Sequence, residues 1–83
     1  MSDDTQIDRT SIRPVYQQVT DAIAARIAAG YYPTKLPAER DLAEEFGVSC
    51  ITVRHAMAIL RERGLIASIH GRGTFVLRGS EDG

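Results

Sequence analysis

Gly47-Val48-Ser49-Cys50-Ile51-Thr52-Val53-Arg54-His55-Ala56-Met57-Ala58-Ile59-Leu60 reads as a short turn followed by a helix, and the rest of the chain reads as a frame that aims it. Ser49 stands where a hydroxyl can cap the helix by accepting from the backbone N–H near Thr52. Val48 and Val53 have the spacing of a hydrophobic staple across that cap. Along the helical period, Val53, Ala56, Met57 and Leu60 share one face, which must be buried, while Ile51, Arg54, His55 and Ala58 point away from it.

The outward face has an unusual composition. Helix starts favour Asp or Glu, whose charge complements the positive end of the helix dipole. Here the first acid after Ser49 is Glu62, at the far end. The first turns hold Ser49, Cys50, Ile51 and Thr52, followed by Arg54 and His55. A positive helix tip without carboxylates suits an anionic partner. Arginine, threonine and branched apolar side chains also suit base edges and thymine methyls. The same stretch fits a plain amphipathic core helix whose tip lacks acids, so the flanks must choose between the two.

Upstream, Pro37 reads as the start of a second helix, with Glu39 and Asp41 in its first turn and Leu42, Ala43 and Phe46 as its buried stripe. Gly47 stops it, and so tight a connection makes a helix-turn-helix pattern. Further back, Pro14 opens a helix on which Tyr16, Val19, Ile23 and Ile27 form a stripe, and Gly30 ends it. Tyr31 and Tyr32 are expected to pack on that helix rather than stack on bases. Lys35-Leu36 has room for a very short strand. Downstream, Gly64 ends the third helix near Arg63. Leu65–Ile69 and Thr74–Leu77 then read as strands of a hairpin around His70-Gly71-Arg72-Gly73, a basic tip in a glycine-rich turn. The predicted fold class is therefore α+β, mainly α: a winged helix-turn-helix of three helices plus a C-terminal β-hairpin wing. It occupies residues 13–78, behind a flexible segment at 1–12 and before a tail at 79–83.

Eighty-three residues suffice for one small domain. No apolar run approaches a membrane span, and Met1 to Thr10 lacks the apolar segment of a signal peptide. The single cysteine, Cys50, excludes an internal disulfide and fits a reducing cytoplasm. The net charge of −1 conceals segregation. Residues 1–8 carry Asp3, Asp4 and Asp8, for −3, and residues 79–83 carry Glu81 and Asp82, for −2. Residues 9–38 carry Arg9, Arg13, Arg26 and Lys35 against Asp21, for +3; residues 39–48 carry Glu39, Asp41, Glu44 and Glu45 against Arg40, for −3. Residues 49–78 carry Arg54, Arg61, Arg63, Arg72 and Arg78 against Glu62, for +4, and local charge is what steers an anion.

Leu36-Pro37-Ala38-Glu39-Arg40, Leu42 to Ser49, Thr52-Val53-Arg54 with Ala56, Gly64-Leu65-Ile66 and Gly71 to Val76, in this order and spacing, resemble the N-terminal DNA-binding domain of the GntR family of bacterial transcription regulators. The resemblance runs from Tyr16 to Val76. It implies sequence-specific binding of double-stranded operator DNA by a homodimer on a palindromic site, in a cytoplasmic regulator that in such families is most often a repressor. The third helix would enter the major groove and the wing would meet the minor groove. By position, Arg40 resembles a DNA-contacting arginine, Thr52 and Arg54 match contacts on the recognition helix, and His70 and Gly71 match contacts at the wing tip. Arg72 suits a phosphate. Cys50 stands where the family commonly has arginine, Ile51 where it has threonine, and Ala38 where a serine often caps the second helix. The loop from Gly30 to Leu36 is shorter than the common pattern. The family's effector-binding and dimerising domain has no counterpart in these residues.

Other readings set bounds. Arg40 has Glu44 four residues on as an alternative ion-pair partner, Thr52 can simply support the cap, and His70 can be an ordinary turn residue. Cys50, at a helix N-terminus, invites a redox role, against that of a small residue near the DNA backbone. Cys50 and His55 have no fixed third partner for a metal site or a catalytic dyad, and Gly71-x-Gly73 lies in a hairpin rather than a dinucleotide loop. No enzyme activity, metal or cofactor is expected. The rival functions are a reader excised from a larger pyridoxal-phosphate-enzyme-like regulator, and a winged helix used for protein contacts.

Overall fold

A computed structural model describes residues 7–77 and builds them as three helices and one hairpin. Helix α1 runs Val15–Ala28, α2 Glu39–Phe46 and α3 Cys50–Glu62. Strands β1 (Ile66–Ile69) and β2 (Gly73–Val76) pair antiparallel, from Ile66 opposite Val76 to Ile69 opposite Gly73. The architecture is a winged helix-turn-helix, as the order of elements predicts.

Helix α3 is the central element because its apolar face is covered from two sides. Val53, Ala56, Met57 and Leu60 are all buried, against Val19 and Ile23 of α1 and Leu42, Ala43 and Phe46 of α2. Burying a leucine such as Leu60 completely is worth about 1.5–3 kcal/mol, so four such positions fix the rotation of α3 about its axis. That rotation turns Ile51, Arg54 and His55 outward; Ile51 is 73% exposed. Gly47 makes the turn between α2 and α3 in the left-handed region at φ +69°, where a Cβ would be strained, and Val48 N–H donates back to the Ala43 carbonyl at 3.0 Å.

Two boundaries differ from the sequence reading. Pro37 does not open α2: Leu36 is held extended by its N–H bond to the Thr74 carbonyl (2.9 Å), and the helix begins only after Ala38, whose carbonyl accepts the first helical bond from Leu42. Ala38 offers no capping oxygen. In the wing, β1 starts one residue later than expected and β2 takes in Gly73 in place of Leu77. The expected Lys35-Leu36 strand is a single bridge, Lys35 opposite Phe75, which sets one residue on the free edge of β2 and ties the wing to the α1–α2 loop.

Arg26 of α1 is the main surprise. It is 5% exposed, donates to the Tyr32 hydroxyl at 2.7 Å and pairs with Glu45 of α2 at 2.8 Å. Its guanidinium lies over the Phe46 and Tyr31 rings, at 4.9 and 4.8 Å from their centroids. Tyr32 is buried as expected, and burial pushes its hydroxyl pKa up despite the adjacent cation. Tyr31 remains 61% exposed, edge-on to Tyr32. Ahead of α1, Gln18 accepts from Asp8 N–H (2.8 Å) and donates to the Asp8 and Arg13 carbonyls, and Arg9 donates to the Gly47 carbonyl, so Asp8, Arg9 and Arg13 are bonded to α1 or to the α2–α3 turn. Residues 1–6 of the expected flexible segment and the expected tail at 79–83 lie outside the described residues. Thr10 donates to the Asp8 carboxylate and holds its pKa below the ordinary value.

Candidate nucleic-acid interface

The candidate surface starts at the tip of α3. Ser49 is the N-cap in extended geometry, and its Oγ accepts from Thr52 N–H at 3.1 Å. The Thr52 hydroxyl lies 3.1 Å from the Ser49 Oγ, so Thr52 supports the cap while remaining partly exposed. The first turn of α3 contains no acid. The positive end of the dipole therefore faces solvent past Ser49, Cys50 and Ile51, all exposed. Hydroxyl, thiol and branched alkyl groups leave room for close approach and add no negative charge.

One turn further on, two exposed side chains are held by partners that local sequence spacing does not suggest. Arg54 Nε donates to Glu39 Oε1 at 3.2 Å, joining the second turn of α3 to the first residue of α2. The His55 ring stacks on Tyr16 of α1, with centroids 4.0 Å apart and planes inclined by 16°. Glu39 and Tyr16 were missed because they lie 15 and 39 residues from their partners, beyond any helical or strand period. Arg40 follows Glu39 in the first turn of α2. It is exposed, and no pair with Glu44 is found among the described residues.

The wing tip is a separate group. His70, Gly71 and Arg72 are all exposed, and Arg72 N–H donates to the Ile69 carbonyl at 2.9 Å to close the turn. Gly71 sits at φ +79°, a position that glycine takes without strain. Arg61, in the last turn of α3, donates to Ser68 Oγ at 3.0 Å and fastens the hairpin to the helix. Lys35 was also missed. Its stem passes so close to Gly73 that a Cβ there would meet Lys35 Cε at 2.7 Å, and its ammonium lies 5.7 Å from the Phe75 ring centroid. The site residues therefore form one group at the N-termini of α2 and α3 and another on the hairpin turn. Among the described residues, no side-chain hydrogen bond or ion pair joins the two groups.

Three comparisons bear on this geometry. The profile described as bacterial regulatory proteins, gntR family, matches residues 15–76. The transcriptional repressor NagR of Bacillus subtilis is 40% identical over 72 residues, which is 84% of this chain and 30% of NagR. The repressor MngR of Escherichia coli, of the mannosyl-D-glycerate transport and metabolism system, is 44% identical over 66 residues, 77% of this chain and 28% of MngR. Thus the chain spans under a third of the length of these relatives. Among solved structures, the AraR DNA-binding domain in complex with operator ORR3 superposes with a TM-score of 0.75 at 39% identity, covering 81% of this chain and 83% of that one. YtrA of Sulfolobus acidocaldarius, a GntR-family transcription factor, gives 0.79 at 35% identity, covering 92% and 82%.

Proposed function

The chain belongs to the gntR family of bacterial regulatory proteins, and on that premise we propose that it is the operator-reading module of a bacterial transcription regulator, a repressor, and binds double-stranded DNA in a sequence-specific way. The observation that carries the reading is the exposed, acid-free start of α3, capped by Ser49 and followed by outward-facing Cys50, Ile51 and Arg54. The bound operator of the similar AraR domain supports the same reading.

The mechanism is binding, without a chemical step. The first two turns of α3 enter the major groove, where Arg54 and Thr52 meet base edges and Ile51 offers its side chain to a thymine methyl. Cys50 leaves room where a longer side chain would reach a base. Arg40, at the exposed start of α2, and Arg72, on the wing, contact phosphates and fix the register, with His55, His70 and Gly71 close to the backbone or groove edge. One domain engages one half-site, and two copies on a palindrome supply the working affinity. The setting is the cytoplasm; no helix among the described residues is long and apolar enough to cross a membrane.

Selection from random duplexes followed by titration over a salt series tests this. The expected result is a recovered palindrome and a log–log slope of about −0.9 per neutralised phosphate. Binding that ignores salt, or recovery of no common sequence, overturns it. Tight one-to-one binding by monomer overturns the paired half-site arrangement alone.

A further inference from the structure

We infer that Glu39 determines specificity without reading a base itself: it is a positioning residue that aims Arg54. The inference rests on the DNA-reading function proposed above. Arginine carries five N–H donors in a rigid fork. Glu39 Oε1 takes the Nε donor, and no other bond to the Arg54 side chain is found among the described residues, so the two terminal nitrogens remain available. Those nitrogens form the edge that can bond guanine O6 and N7 together. Glu39 is the first residue of α2, so its own backbone is fixed by the helix that packs on α3. The arginine side chains are 63% exposed at Arg54 and 5% at Arg26, and Glu39 is 36% exposed. A pair so open to water adds little to stability; its main consequence is to restrict which way a long side chain points before DNA arrives.

The carboxylate has a second effect. It lies at the edge of a surface meant for phosphates, beside Arg40. A duplex docked through its backbone alone meets this negative charge, whereas a duplex that engages the Arg54 fork is compensated for it. Repulsion of the wrong partner combined with orientation toward the right one is a device for specificity rather than affinity.

The test compares the 83-residue chain with Glu39→Ala, Glu39→Gln, Arg54→Ala and the Glu39→Ala/Arg54→Ala double variant. Each is used to select from random duplexes and is titrated against one unrelated duplex, with thermal melting as a control. Glu39→Ala is expected to bind the unrelated duplex several-fold tighter while losing roughly ten-fold of its preference at the base pair that Arg54 reads, within the discrimination of one bidentate contact. Glu39→Gln keeps the acceptor oxygen and should retain more of that preference. In the Arg54→Ala background, Glu39→Ala should no longer alter base preference, because the two act as a unit. Unchanged preference in Glu39→Ala, or an equal loss with and without Arg54, overturns the positioning role. If the unsubstituted chain shows no salt-dependent duplex binding, this inference and the function beneath it fall together.

Discussion

Arg26 and Arg54 are the same residue type in two regions of one small domain, and they sit in opposite surroundings. Arg26, on α1, is enclosed by Tyr32, Glu45 and Phe46 and joins α1, the following loop and α2. Arg54, on α3, is held at one nitrogen by a partly exposed carboxylate. The buried cation has exchanged its hydration for fixed partners and belongs to the scaffold. The exposed one is bonded through Nε alone among the described residues and leaves its terminal nitrogens open to solvent. A count of basic residues treats both alike, so charge by itself does not locate an interface; burial and partner geometry do.

The sharpest way to break this comparison is to remove the buried arginine. Arg26→Ala strips a stem from the core, leaves the Tyr32 hydroxyl without its donor and leaves Glu45 without its cation. Because Glu45 is 38% exposed and partly solvated, the expected cost is about 2–4 kcal/mol of folding stability, below the upper range for a fully buried pair. Chemical denaturation measures it. At temperatures where the variant is folded, its salt dependence of DNA binding should match that of the unsubstituted chain. A stable variant with a shallower salt slope would place Arg26 at the interface instead.

Arg54→Ala is the converse. It should cost roughly 1–3 kcal/mol in binding to the selected operator and relax preference at one base pair, while stability changes by no more than about 0.5 kcal/mol. Competition titration against the operator and an unrelated duplex separates the two. Equal weakening on both duplexes would make Arg54 a phosphate contact. Ser49→Ala tests the boundary between the regions, because Ser49 both caps α3 and lies exposed at its tip. Loss of the cap should reduce stability by about 1 kcal/mol. Selectivity should fall less than in Arg54→Ala, since the core face of α3 still sets its rotation.

How much of this was legible in the sequence follows from the range of each interaction. The rotation of α3 was legible because Val53, Ala56, Met57 and Leu60 stand at i, i+3, i+4 and i+7 on one helical face, and the Ser49 cap because its partner is three residues away. The wing was legible from glycines at Gly64, Gly71 and Gly73 flanking short apolar runs. The burial of Arg26 was not legible: the stripe of α1 ran through Tyr16, Val19, Ile23 and Ile27, and Arg26 entered only as one of the basic residues. It is buried because Tyr32 and Glu45, six and 19 residues on, close over it, and a charge is buried only when so partnered. The Glu39–Arg54 and Tyr16–His55 contacts were illegible for the same reason: they depend on how α1 and α2 cross α3, which no local period encodes. Pro37 misled because its fixed φ suits both a helix start and the extended bridge to β2 that it continues.

The smallest expected effect tests whether the wing belongs with Arg54 at all. Arg72 is exposed on the hairpin turn, and its side chain bonds to nothing among the described residues, so its removal should leave stability unchanged. If it contacts one phosphate, Arg72→Ala should reduce the magnitude of the log–log salt slope by about 0.9 and weaken selected and unrelated duplexes by the same factor. That uniform loss differs from the base-specific loss expected at Arg54. An unchanged slope would leave the N-termini of α2 and α3 as the whole interface, with the hairpin serving the core through Ile66 and Val76. A loss confined to the operator would instead make the wing a second reader, placed in a groove narrow enough for its sequence-dependent width to be sensed by an arginine.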